Sequence, residues 1–154
     1  MTDIANYEPY APNSLGLTEA LIDLKDTIAT LPALPYGGFE AEVFENVTQG
    51  DALYLRSSDG KAGRAIANDT VDKATVIGFA QTTKPAGERV RVLIVGILAD
   101  SGLDAGDIFY LSDSGAGNIT TTPPSTAGRF LTRVGEAASA SEFIIQIEPP
   151  ILLR

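Results

Sequence analysis

At 154 residues, with 44% apolar and 20% charged side chains, the chain is long enough for one domain with its own core and needs no staples. It has neither cysteine nor histidine, which excludes disulfides, thiolate metal sites, cysteine nucleophiles, the usual general base and the commonest metal ligand. A net charge of −9, from 11 basic and 20 acidic residues, argues against nucleic-acid binding and against contact with anionic lipid.

Residues 1–16 read as an extended arm, because Ile4, Tyr7 and Tyr10 lie among Pro9, Pro12 and Asn13. Met1–Ile4 shows no basic region followed by an apolar stretch, so no signal peptide is expected. The three large side chains belong either to a frayed terminus or to an anchor on a neighbouring chain. Residues 17–31 carry the amphipathic helix: Thr18 can cap it, Leu17 can staple onto Ile22, and Pro32 stops it. Leu17, Leu21, Leu24, Ile28 and Leu31 step by four, three, four and three, the spacing of a heptad seam. Two heptads are short for a coiled coil, so the seam is either an oligomer interface or the face of a helix lying on its own β-domain. Residues 32–38, with Pro32 and Pro35, form a semi-rigid linker.

From 39 to 148 the chain reads as short strands separated by Gly and Asp clusters, with no further helix. Strands are expected at Phe39–Val47, Ala52–Arg56, Arg64–Ala67, Val76–Gln81 and Glu88–Leu98. A second series is expected at Ile108–Ser112, Asn118–Thr122, Phe130–Ala137 and Phe143–Glu148. The longest apolar run, Val92–Ala99, is interrupted by Gly96 and falls far short of the ~20 residues of a membrane span. Gly50-Asp51-Ala52-Leu53-Tyr54-Leu55 recurs as Gly106-Asp107-Ile108-Phe109-Tyr110-Leu111, and Ile77-Gly78-Phe79-Ala80 as Val134-Gly135-Glu136-Ala137. The two anchors have nearly one offset, so the region is a duplication with units at about 40–98 and 99–148. Gly50, Asp51, Gly78, Gly106, Asp107 and Gly135 are its structural turn residues. The expected fold is mainly β, a duplicated β-sandwich or barrel-like domain preceded by one short amphipathic helix. The apolar tail at 149–154 ends in Ile151, Leu152 and Leu153, and the rigid Pro149-Pro150 step is expected to project it toward a partner rather than onto its own sheet.

Reactive constellations are thin. Ser58-Asp59-Gly60-Lys61 matches an S-x-x-K pattern, yet that chemistry needs the serine to open a helix, and these four residues read as a turn. Asp100, Asp104 and Asp107 are near enough in sequence to raise a cation site, although their spacing with Gly102 and Gly106 fits tight turns better. Arg89 and Arg91 on one strand face, with Arg129 and Arg133 beside them, either grip an acidic neighbour or form a solvated surface. No catalytic residue, cofactor or metal ligand is expected.

The GD-x-x-Y-L blocks, the [IV]-G-x-A blocks and Thr121-Thr122-Pro123-Pro124-Ser125 ahead of the last strand resemble virion proteins of tailed bacteriophages. They are similar to small capsid decoration (cement) proteins and to β-domains of phage fibres. The resemblance covers about Val47 to Ile147 and rests on Gly50, Asp51, Tyr54, Gly78, Ala80, Gly106, Asp107, Tyr110, Gly135 and Ala137. It implies a late, non-enzymatic structural protein on the capsid surface of the virion, made in the bacterial cytoplasm. It also implies a homotrimer that clamps the major capsid protein, with no nucleic-acid, membrane or small-molecule partner. The alternative is a tail-fibre or head-fibre component that helps attach to a host glycan. On this reading Leu17, Leu21, Leu24, Ile28 and Leu31 form the oligomer seam, and Ile4, Tyr7, Tyr10, Ile151, Leu152 and Leu153 anchor partners.

Overall fold

The glycine–aspartate blocks act through backbone geometry. Gly50 has φ 89 and Gly106 has φ 92, which a side chain would resist, and each is the third residue of a tight turn. The turns close through Asp51 N–H to the Thr48 carbonyl at 3.0 Å and Asp107 N–H to the Asp104 carbonyl at 3.1 Å. Each then ties to its own [IV]-G-x-A block: Gly50 N–H reaches the Ala80 carbonyl at 2.8 Å, and Gly106 N–H reaches the Ala137 carbonyl at 2.7 Å.

The computed structural model describes residues 37–154. The arm, the helix and nearly all of the linker, and with them Ile4, Tyr7, Tyr10, Leu17, Leu21, Leu24, Ile28 and Leu31, lie outside the described residues. The expected mainly β fold is what forms, as strands β1 (Gly38–Glu42), β2 (Ala52–Leu55), β3 (Ala62–Arg64), β4 (Gly78–Ala80), β5 (Arg89–Leu93), β6 (Gly96–Ala99), β7 (Ile108–Leu111), β8 (Ile119–Thr120), β9 (Phe130–Leu131), β10 (Arg133–Ser139), β11 (Glu142–Ile145) and β12 (Ile151–Leu152). The first sheet has the order β1-β5-β4-β2-β3 and the second β6-β11-β10-β7-β8. Replacing β1, β5, β4, β2 and β3 by β6, β11, β10, β7 and β8 converts one order into the other. The paired turn and glycine blocks fall on equivalent strands.

Gly78 and Gly135, expected as turn residues, lie instead in strands β4 and β10, where they meet a different demand at equivalent places. A Cβ on Gly78 would lie 2.5 Å from the Leu93 carbonyl oxygen, and one on Gly135 would overlap the Ile144 carbonyl oxygen. Adjacent backbone occupies the space a side chain would need.

Both faces of the first sheet are buried. Ala41, Leu53, Ala80, Val90 and Val92 gather on one face with Val43, Val47 and Ala62. A parallel bridge between Val43 and Ala62, with Phe44 N–H on the Ala62 carbonyl at 3.2 Å, brings the end of β1 to β3 and curls the sheet around this cluster. The opposite face presents Ala52, Tyr54, Phe79 and Leu93 to Leu98, Phe109, Phe143 and Ile145 of the second sheet. Phe143 stands between Phe79 (5.4 Å, 72°) and Phe109 (5.5 Å, 82°), both in edge-to-face contact. Backbone bonds from Ala52 N–H to the Gly117 carbonyl (2.8 Å) and from Ala67 N–H to the Ser112 carbonyl (3.0 Å) also join the repeats. The two halves share one core.

Three local expectations need correction. The stretch Glu88–Leu98 is two strands: the chain leaves the first sheet after Leu93 and enters the second at Gly96, whose φ of 120 allows the bend. The passage between sheets therefore lies at Ile94-Val95, ahead of the 98/99 division. The expectation of no further helix fails between the strands expected at Arg64–Ala67 and Val76–Gln81, because Thr70 caps a one-turn helix, α1 (Val71–Ala74), through Lys73 N–H at 3.4 Å. The tail is not thrown clear by Pro149-Pro150. Its backbone forms β12, with Ile151 opposite Leu131 and Leu152 opposite Phe130.

Candidate interaction surface

Side chains alternate across a pleated sheet, so burying one face of a strand determines what the other face offers. In the second sheet Leu98, Phe109, Phe143 and Ile145 point into the core. Their neighbours Ile97, Ile108 and Ile144 therefore point outward. Register sets Ile97 opposite Ile144, Ile144 opposite Glu136, and Glu136 opposite Ile108. This gives one row across four strands, on the order of 15 Å wide at the ordinary strand spacing. Ile97 is 59% exposed and Ile108 38% exposed, while Ile144 and Glu136 are half-buried. The next row holds Tyr110 opposite Arg133. The Arg133 guanidinium is shared between Glu136 at 3.4 Å and Glu148 at 3.6 Å, and it donates to the Gln146 side-chain oxygen at 3.3 Å.

The tail offers a second apolar surface. Leu153 N–H donates to the Arg129 carbonyl at 2.9 Å and Gly128 N–H to the Leu153 carbonyl at 2.8 Å, so the tail backbone is satisfied within the chain. Its side chains are not: Ile151 is 58% and Leu152 50% exposed, and Leu153 is half-buried.

No protein-family model matches the chain, and no curated protein matches it. What these residues do is read from their geometry.

The arginines seen in the sequence are not gathered into one clamp. Arg89 on β5 faces Glu40 at 3.7 Å, whereas Arg133 lies on β10 of the other sheet. Exposed pairs of this kind each contribute about 0–1 kcal/mol. At the Ser58–Lys61 turn the lysine ammonium sits on Glu42 at 2.8 Å, and its amide donates to Asp59 at 3.1 Å. Arg56 packs over the Phe44 ring at 3.9 Å and hydrogen-bonds to Asp59, whose pKa it holds down at about 2. The lysine is thus spent on a neighbouring strand, and the turn has the form of a staple. Asp100 accepts from Ser101 N–H at 2.7 Å, and Asp104 and Asp107 are joined through their backbone turn. Among the described residues no group of three or more acids is placed to hold a metal ion.

One open cleft of about 640 Å³ is lined by Gln49, Asp51, Asp100, Ser101 and Asn118 among others. Asp51 accepts from Thr48 N–H at 2.8 Å. Burial pushes its pKa up, opposed by that hydrogen bond and by the charge of Arg64. These groups suit hydrogen bonding, and none is a nucleophile activated by a neighbouring base.

The isoleucine row as such was not visible from sequence, because only the order β6-β11-β10-β7 brings the three residues together. A local signal did exist, since the strands containing Ile97, Ile108 and Ile144 are apolar on consecutive positions rather than alternate ones.

Proposed function

We propose that this chain is a non-enzymatic virion structural protein of a tailed bacteriophage, a capsid decoration protein that acts as a homotrimer and clamps the major capsid protein. The observation that carries this is the contrast between a filled core and open apolar side chains: Ile97, Ile108, Ile151 and Leu152 stand in solvent on a domain whose other large apolar groups are mostly packed. Surfaces of that kind mark contacts with other proteins. The resemblance of the repeated GD-x-x-Y-L and [IV]-G-x-A blocks to phage β-domains supplies the setting. Many modest contacts repeated around a symmetric assembly sum to firm retention. An acidic exterior suits a position away from packaged nucleic acid.

A fibre component that touches host glycan is the competing function, and the cleft near Asn118 and Gln49 favours it, because amides and carboxylates pair with sugar hydroxyls. Gold-labelled antibody against the protein, applied to particles from the phage that encodes it, separates the two. A decoration protein labels the whole head in many copies. Label confined to the tail or to isolated fibres, or a preparation that cleaves bacterial polysaccharide with sustained turnover, would overturn the assignment.

A further inference from the structure

The duplication supplies an internal experiment on what covers each face of this fold. In the first sheet the face carrying Ala52, Tyr54, Phe79 and Leu93 is 0–7% exposed, because the second sheet packs against it. By strand order and register, the equivalent residues of the second sheet are Ile108, Tyr110, Glu136 and Ile144. That equivalent face is partly open: Ile108 is 38% exposed, and Tyr110, Glu136 and Ile144 are half-buried. One copy of the fold is therefore covered by a second sheet where, among the described residues, no sheet covers the other, and that uncovered face carries Ile97, Ile108 and Ile144. From this we infer that the outer face of the second sheet is a self-association surface, and that it meets the same face of neighbouring copies of this chain around the assembly axis.

Two observations point to a second copy as the occupant. The inward face of the second sheet is already filled by Phe79 and its neighbours, and the other face of the first sheet is closed around its own cluster. Neither is free to take the isoleucine row; among the described residues the row itself is the one open sheet face, and the other exposed apolar side chains are Val71, the Ile94-Val95 passage and the Ile151-Leu152 tail. The charges complement one another as well. Each face holds a carboxylate, Glu136, and a guanidinium, Arg133, 3.4 Å apart, so two such faces can exchange ion pairs. The inference adds a surface to the function proposed above, and it holds whether or not the assembly sits on a capsid.

The chain has no cysteine, so a single thiol can be placed at will. Full-length Ile97→Cys and Ile108→Cys, treated with a short bismaleimide at low micromolar protein, should give covalent dimers. A control, Val71→Cys on α1, is 57% exposed and should crosslink at least about tenfold more slowly, because a thiol held at an interface has a high effective concentration. The double variant Ile97→Lys/Ile108→Lys should keep the wild-type circular dichroism spectrum and sediment as a smaller species than wild type. Equal crosslinking at residue 71, or a lysine variant that sediments as wild type does, overturns the inference. A wild-type protein that is monomeric in sedimentation does so too, and leaves head labelling as the separate test of the virion role.

Discussion

Removing the ring of Phe143 tests whether the two repeats stand on one core. Phe143 is fully buried and contacts Phe79 from the first sheet and Phe109 from the second, with centroids at 5.4 and 5.5 Å. Phe143→Ala leaves a ring-sized void between the sheets, which costs about 3–5 kcal/mol. The two lost edge-to-face contacts place the value near the upper end, at about 4 kcal/mol. Total stability is on the order of 5–15 kcal/mol, and a urea slope near 2 kcal/mol per molar puts the drop in unfolding midpoint at about 2 M. Phe143→Leu keeps most of the volume and should lose only about 1–1.5 kcal/mol. A double-mutant cycle with Phe79→Ala should show coupling of about 0.5–1.5 kcal/mol across the repeats. Urea denaturation followed by tyrosine fluorescence and by far-ultraviolet circular dichroism should give one coincident transition. Two separated transitions, or a Phe143→Ala midpoint within about 0.5 M of wild type, would refute the shared core.

Gly135→Ala forces a methyl group into the Ile144 carbonyl and the Phe143 ring, and should destabilise by about 1–3 kcal/mol or more in the same titration, whereas Gly60→Ala, whose Cβ would meet nothing, should cost less. Thr132 is fully buried and its hydroxyl donates to the Ala74 carbonyl at 2.9 Å, so Thr132→Val should lose about 1–3 kcal/mol in thermal unfolding by leaving that carbonyl unpaired. Burial raises the Asp51 pKa above its ordinary 3.8, so the folded state binds this proton more tightly than the unfolded chain; the associated stability is fully present below 3.8 and is lost as pH rises through the folded pKa. Asp51→Asn keeps an oxygen for Thr48 N–H and should flatten that segment of the stability–pH curve measured by chemical denaturation. Asp59 works in the opposite sense: with Arg56 holding it at about 2, its contribution is present above 3.8 and lost as pH falls toward 2. Carboxyl-carbon NMR of Arg56→Gln should show Asp59 titrating back toward its ordinary range.

Alternation and turn chemistry are local properties of the chain, and they were enough for the mainly β class and the turns at Gly50 and Gly106. The repeated blocks also marked which strands occupy equivalent places, because the same turn feeds the same antiparallel pair in each half. Other features depended on groups far apart in sequence. Whether the run through Gly96 was one strand or two rested on which sheet each half joined, since both halves look equally extended. The tail looked as if it would leave the domain, because nothing in Pro149–Leu153 reveals that Arg129 and Gly128 offer backbone partners. The exposed isoleucine row was hidden for the same reason: burial of an apolar strand residue is decided by the sheet that packs on it. Only tertiary structure sets which of two similar sheets covers the other and which is left bare.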